Sequence, residues 1–208
     1  MPRAKAFDEE QAIDRAVDCF WARGYGATSV RDLSLTMGIG GASLYNAFGD
    51  KRELFVLALE RYANRSMRER VARLEARHPP KQAIEAFLAE IIDRSVRDPD
   101  CKGCLLVNSA LDVAPHDATI RTRVDAYLGE IRAFFRRSLE QARRTGTLAK
   151  ALDPEVLSAH LMGIVLALRV LARTYAGPTA AKRQLLEAVA KPALDLLVTP
   201  PRPARRRP

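Results

Sequence analysis

The sequence is poor in the residues that build covalent or metal-held frameworks. It has three cysteines, an odd number, so no closed disulfide framework is expected. Its three histidines, His78, His116 and His160, show no metal-ligand spacing among themselves, and no metal and no cofactor is expected. No apolar run approaches the roughly 18 residues of a membrane span. The longest, LMGIVLAL at 161–168, stops at Arg169. The N-terminal MPRAKAFDEEQ lacks the apolar core of a signal peptide. A reduced cytoplasmic protein without a membrane partner is the expectation. Alternating strand patterns, hairpin turns and internal repeats are also missing. So are a nucleophile elbow, a phosphate loop and a metalloprotease motif, and enzymatic activity is not expected.

What is present is apolar and basic. Hydrophobic residues make up 48% and charged residues 28%, enough to bury a core. The net charge of +9 points to an anionic partner, but it is unevenly spread. Residues 1–50 carry five Lys or Arg against seven Asp or Glu, whereas 51–77 carry eight against four. The tail 199–208 is rich in Pro and Arg and is expected to be disordered.

Apolar side chains recur at helical spacing almost throughout. Ile13, Ala16, Val17, Phe20 and Trp21 mark a first helix over 8–23, with Asp8 as N-cap and Gly24 and Gly26 at its end. Thr28 or Ser29 caps a short second helix that Gly38 ends. A third covers ASLYNAF. Asp50, with Glu53 three residues on, opens a long fourth that Pro79-Pro80 stops near Arg77. Further patterns cover 81–97, 104–114, 117–145, 154–176 and 179–198, with Pro192 expected to kink or end the last early. The fold class is therefore all-α, about nine helices. An N-terminal three-helix unit is followed by longer helices able to bundle.

The stretch GIGGASLYNAFGDK, residues 38–51, crowds glycines around one short helix. Two short helices joined at Gly38 make a helix-turn-helix over about 29–48. Val30, Leu33, Met37, Ile39, Leu44 and Phe48 suit the inward side. The opposite side shows Gly41, Ala42, Ser43, Tyr45 and Asn46. Small residues let the backbone approach a duplex, Ser43 and Asn46 can bond to base edges, and Tyr45 can reach a phosphate. Lys51 sits where free N–H groups of the next helix already favour an anion.

On the segments FWARGYGATSV, L-Y-x-x-F at Leu44, Tyr45 and Phe48, and K-x-E-L at Lys51, Glu53 and Leu54, residues 7–62 resemble the DNA-binding module of the TetR family of bacterial transcriptional regulators. The resemblance implies a DNA-binding domain at 7–53 and a ligand-binding and dimerisation domain at 54–198. It implies an operator of double-stranded DNA, a small-molecule inducer, a homodimer and, by family default, repression. Thr28, Tyr45 and Lys51 would hold phosphates, with Ser29, Arg31, Gly40, Gly41, Ala42, Ser43 and Asn46 completing the DNA site. Where Gly40 stands, many members have Ser or Thr. Where Gly41 stands, many have a basic residue. Specificity would then lean on Ser43, Asn46, Arg31 or DNA shape.

In the second domain, the helix at 154–176 is apolar nearly all round, and such a helix must be covered on both sides. Leu161, Val165, Leu168, Leu171 and Tyr175, with Leu186 and Val189 of the last helix, are the expected dimer contacts. Asn108, His160 and Arg169 are polar residues in apolar helices, and with Tyr62, Phe87, Tyr127 and Phe134 as walls they are pocket candidates. The segment CKGCLLVNSALDVAPHD, 101–117, resembles one branch of TetR-like regulators in which a Gly-Cys pair opens the family's sixth helix, some of them redox or electrophile sensors. Cys104 is then a sensor candidate with Lys102 and Asn108 beside it. Two alternatives stay open: a metal sensor using Cys101 and Cys104, and a helical interaction module without DNA binding. A thioredoxin-type use of CKGC needs a sheet that the sequence does not offer.

Overall fold

The computed structural model describes residues 7–197, all of their regular structure helical. The basic tail expected at 199–208 lies outside the described residues, as does Val198. The elements are α1 (Glu9–Arg23), α2 (Val30–Met37), α3 (Gly41–Phe48), α4 (Lys51–Ala63), α5 (Glu69–Arg77), α6 (Pro80–Arg97), α7 (Leu105–Asp112), α8 (Ala118–Arg144), α9 (Pro154–Thr174) and α10 (Thr179–Leu197). A π turn over Asn64–Arg68 joins α4 to α5 without interrupting the helix.

Local chemistry sets most of these ends. Asp8 accepts from the Gln11 N–H and starts α1. Ser29 with Asp32, and Asp50 with Glu53, form complete capping boxes at α2 and α4. Asp153 caps α9 with Pro154 in its first turn. Gly38 closes α2 in the left-handed region, φ 71°, and Arg15 of α1 donates to the last carbonyl of α2, Met37, at 3.0 Å. Proline does not end α10 early: the helix runs through Pro192 to Leu197.

The chain condenses into two compact units. Among the described residues, the first takes 7–70 together with Asp98–Gly129, and the second takes Val71–Arg97 together with 130–197. This division differs from the 7–53 and 54–198 expected from the sequence. In the first unit, α1 packs on α2 and α4, α2 on α3, and α7 on α4. Phe20 meets Phe55 edge-on at 4.9 Å, and Leu33, Leu44 and Leu54 are wholly buried around them. Each such side chain contributes about 1.5–3 kcal/mol. Two bidentate ion pairs tie distant segments: Arg52 to Asp117 at 2.5 and 3.0 Å, and Arg61 to Asp14 at 2.8 and 3.0 Å. In the second unit α6, α9 and α10 pack on one another. Phe87 of α6 and Phe134 and Phe135 of α8 form a cluster with centroids 5.2–5.4 Å apart.

By length and composition α9 is the one described helix that could cross a bilayer. Its inner side is already occupied by the protein, with Leu157, Leu161, Ile164, Val165 and Leu168 buried. Its other side is not: Val156 and Val170 are 68% and 40% exposed, with Ala159, His160 and Gly163 beside them.

Candidate nucleic-acid interface

α3 has two unlike sides. Leu44 and Phe48 are buried against the rest of the first unit, while Ala42, Ser43, Tyr45 and Asn46 are exposed, Tyr45 to 52%. The four-residue spacing of Leu44 and Phe48 produces this, because residues at i and i+4 share a helix face. No side chain of the described protein hydrogen-bonds to Ser43, Tyr45 or Asn46. At the N-terminus of α3, Gly40 offers no side-chain cap, so the first N–H groups stay open. Sterics do not demand glycine there. A Cβ on Gly40 would meet nothing within 4 Å, and one on Gly41 would sit 3.9 Å from the Ser34 hydroxyl. What the two glycines provide is a bare backbone.

Charges near α3 separate by whether they are already paired. Arg23 is bound to Asp32 at 2.6 Å, and Asp32 is held below the usual carboxylate range by Ser29 and then by Arg23. Arg52 is committed to Asp117. Arg31 and Lys51 have no ion pair among the described residues. Lys51 lies with its Nζ 4.3 Å over the Tyr25 ring, at the first position of α4. Burial, then Asp50 and Asp117, raises the Tyr25 pKa, so the ring stays neutral beneath the ammonium. Open N–H groups, two unpaired cations and three free polar side chains thus lie on α2, α3 and the start of α4.

Residues 12–58 match the profile of the bacterial regulatory proteins of the tetR family, and residues 80–187 match the tetracyclin repressor-like C-terminal domain. An uncharacterized HTH-type transcriptional regulator of Bacillus subtilis, YezE, is 32% identical over 178 residues, 85% of this chain and 91% of its own. The chain belongs to the TetR family. As a TetR-family protein it is a transcriptional regulator built for DNA. The HTH-type transcriptional repressor ComR of Escherichia coli is 27% identical over 82% of each chain. Among solved structures, a cysteine-substituted variant of the TetR family regulator CifR, complexed with 26-bp double-strand operator DNA, superposes with TM-score 0.80 at 34% identity, covering 94% of this chain and 98% of that one. Reduced E. coli NemR superposes with TM-score 0.80 at 19% identity, a likeness of fold.

Within this TetR-family frame the structure brings most of the expected DNA residues together and withdraws one. Ser29, Arg31, Gly40, Ala42, Ser43, Tyr45 and Asn46 are exposed, and Gly41 and Lys51 are partly so. Thr28 is not available as a phosphate contact. It is 1% exposed and its hydroxyl donates to the Gly24 carbonyl at 2.6 Å, closing the turn after α1. The Ser29 hydroxyl is likewise engaged with Asp32.

The expected ligand residues are divided between the two units. Tyr62, Cys104, Asn108 and Tyr127 belong to the first unit, and Phe87, Phe134, His160 and Arg169 to the second. Tyr62 is buried edge-on to Trp21 at 5.1 Å. Tyr127 hydrogen-bonds to Glu60. Phe87 and Phe134 fill the aromatic cluster, and Arg169 reaches Ser95 at 3.4 Å. His160 stands on the exposed side of α9. Cys104 is the N-cap of α7 and is buried, and the Asn108 amide donates to the Lys102 carbonyl at 2.9 Å instead of facing the thiol.

Four expected dimer residues are core residues of the chain itself. Leu161, Val165, Leu168 and Leu186 are 0–3% exposed, covered by the second unit's own helices, and cannot meet a partner. Leu171, Tyr175 and Val189 are half-buried. Sequence reasoning missed the pairing of Arg52 with Asp117, which are 65 residues apart, and the Tyr25 ring beneath Lys51. No local pattern signals either one.

Proposed function

We propose that the protein is a repressor that binds a pseudo-palindromic operator as a homodimer and leaves it on a small-molecule or electrophile signal. In this reading 7–53 reads DNA in the cytoplasm and 54–198 binds the signal and the partner copy. The observation that carries the reading is the unspent hydrogen-bonding capacity of α3, with Ser43, Tyr45 and Asn46 free beside the unpaired Arg31 and Lys51. Support comes from the CifR variant complexed with operator DNA. For the metal-sensing alternative, no group of three His, Cys, Asp or Glu placed to hold a metal ion occurs among the described residues.

The exposed side of α9, with Val156, His160, Gly163 and Val170, is the surface proposed for the partner copy, joined by Leu196 of α10 at 45% exposure. Two recognition helices would then address half-sites about 34 Å apart. Anisotropy titration against the DNA upstream of the protein's own gene tests the reading. Lys51→Ala should weaken every sequence alike and lower the slope of log affinity against log salt by about 1. An unchanged slope removes Lys51 from the phosphate contacts. Val170→Glu should shift the wild-type dimer to monomer in sedimentation, and a monomeric wild type at micromolar concentration removes the dimer.

A further inference from the structure

Lys51 has carboxylates in its neighbourhood, yet pairs with none of them among the described residues. Asp50 and Glu53, beside it in the chain, are both spent on the capping box of α4. The Asp50 carboxylate accepts from the Glu53 N–H at 2.8 Å, and the Glu53 carboxylate accepts from the Asp50 N–H at 3.0 Å. Asp117 is gripped by Arg52 and accepts from the N–H groups of Thr119 and Ile120 at 2.9 and 3.1 Å. What lies against the Lys51 ammonium is the Tyr25 ring, its centroid 4.3 Å from Nζ.

Tyr25 is itself held in place. Phe20 of α1 stacks on its ring at 6.2 Å, and Phe55 of α4 tilts against it at 4.8 Å. Its carbonyl accepts from the Thr28 N–H at 3.3 Å, and the Thr28 hydroxyl closes the same turn on the Gly24 carbonyl. Thr28, too buried to touch a phosphate, thereby fixes the residue that lies under Lys51.

A carboxylate and a ring hold an ammonium differently. A carboxylate neutralises it. A ring attracts it through the negative face of its quadrupole and carries no net charge, so the whole positive charge stays available to a third group. A lysine stem is also among the costliest side chains to order, and one ordered before DNA arrives adds little of that cost to binding. Arg52, next in the chain, shows the opposite case, its charge spent on Asp117. We infer that Tyr25 is a positioning residue for DNA binding: its ring holds the Lys51 ammonium in place for a phosphate without neutralising it. This rests on the reading of Lys51 as a phosphate contact and adds the residue that prepares it.

Anisotropy titrations of the full chain against the DNA upstream of its own gene test the inference as a double-mutant cycle. Tyr25→Leu should weaken binding about two- to fivefold, the size of a cation–ring contact, and Tyr25→Phe should bind as wild type does. In the Lys51→Ala background Tyr25→Leu should cost nothing further. A Tyr25 that only supports the fold would weaken both backgrounds alike. Fluorinated phenylalanines at position 25 keep the packing and drain the ring face of charge, so affinity should fall stepwise from the monofluorinated to the pentafluorinated ring. That series decides the matter if Tyr25→Leu fails to fold. Equal losses in both backgrounds, wild-type affinity for Tyr25→Leu, or indifference to fluorination overturns the role of Tyr25. If Lys51→Ala binds like wild type, the phosphate reading of Lys51 falls as well. If Lys51→Ala is weakened and Tyr25→Leu is not, only the role of Tyr25 falls.

Discussion

The exposed side of α3 and the segment Asp98–Asn108 are both short, polar and glycine-containing, and they use their polar groups in opposite ways. On α3, Ser43, Tyr45 and Asn46 spend nothing on the protein. In the second segment almost everything is spent at home. The Asp98 carboxylate accepts from the Lys102 N–H at 2.6 Å and the Asp100 N–H at 3.1 Å. The Lys102 ammonium lies 3.3 Å from Asp100 and 5.5 Å from the Trp21 ring centre, and its carbonyl accepts from Asn108. Gly103 takes φ 70° and Cys101 φ 50°, both in the left-handed region. The difference separates a surface kept open for a partner from a loop built to hold its own shape. A reagent reaches the buried Cys104 thiol only if that loop opens first.

Substitutions on the two segments should move different observables. The largest effect is expected from Asn46→Ala. Loss of a base-edge contact is worth about 1–3 kcal/mol, roughly 5- to 150-fold in operator affinity, with Tm unchanged. If Tm falls along with affinity, the open character of α3 is refuted. Asp98→Ala should behave in reverse, lowering stability by about 1–2 kcal/mol in urea unfolding and raising the labelling rate of Cys104. Base preference among operators should not move. A labelling rate that stays at the wild-type level would mean that this loop does not guard the thiol.

The smallest effect concerns pH. Arg52, then the backbone N–H groups of Ile120 and Thr119, hold the Asp117 carboxyl down at about 2. Its folded pKa lies below its unfolded value, so its contribution is complete above about pH 4 and is lost as pH falls toward about 2. The difference in urea midpoint between wild type and Asp117→Asn should therefore shrink as pH is lowered from about 5 to about 3. A difference independent of pH in that window excludes an ionic role.

Legibility from sequence followed the range of the interactions. Ends fixed by neighbours in the chain, such as the caps at Asp8, Ser29, Asp50 and Asp153, were readable because each acts within three residues of itself. The helix-turn-helix was readable for the same reason. The π turn over Asn64–Arg68 was not, since no glycine or proline marks it. Nor was the fate of Thr28, whose residue type suits a phosphate and a buried turn equally well. On α9 the apolar pattern named a helix with two covered sides, but it could not assign Leu161 or Leu168 to the chain's own core and Val156 or Val170 to the open side. That distinction depends on where α6 and α10 fall, which periodicity does not encode.

The compact unit containing α3 is discontinuous in the chain, since Asp98–Gly129 completes what residues 7–70 begin. During synthesis at about 5–20 residues per second, the helices that read DNA leave the ribosome several seconds before the residues that finish their unit. Until Asp117 arrives Arg52 has no carboxylate, and until α7 arrives one flank of α4 stays uncovered. The nascent chain passes through an interval in which its reading helices are made but their support is not. Cutting the gene after Arg70 would make that interval permanent.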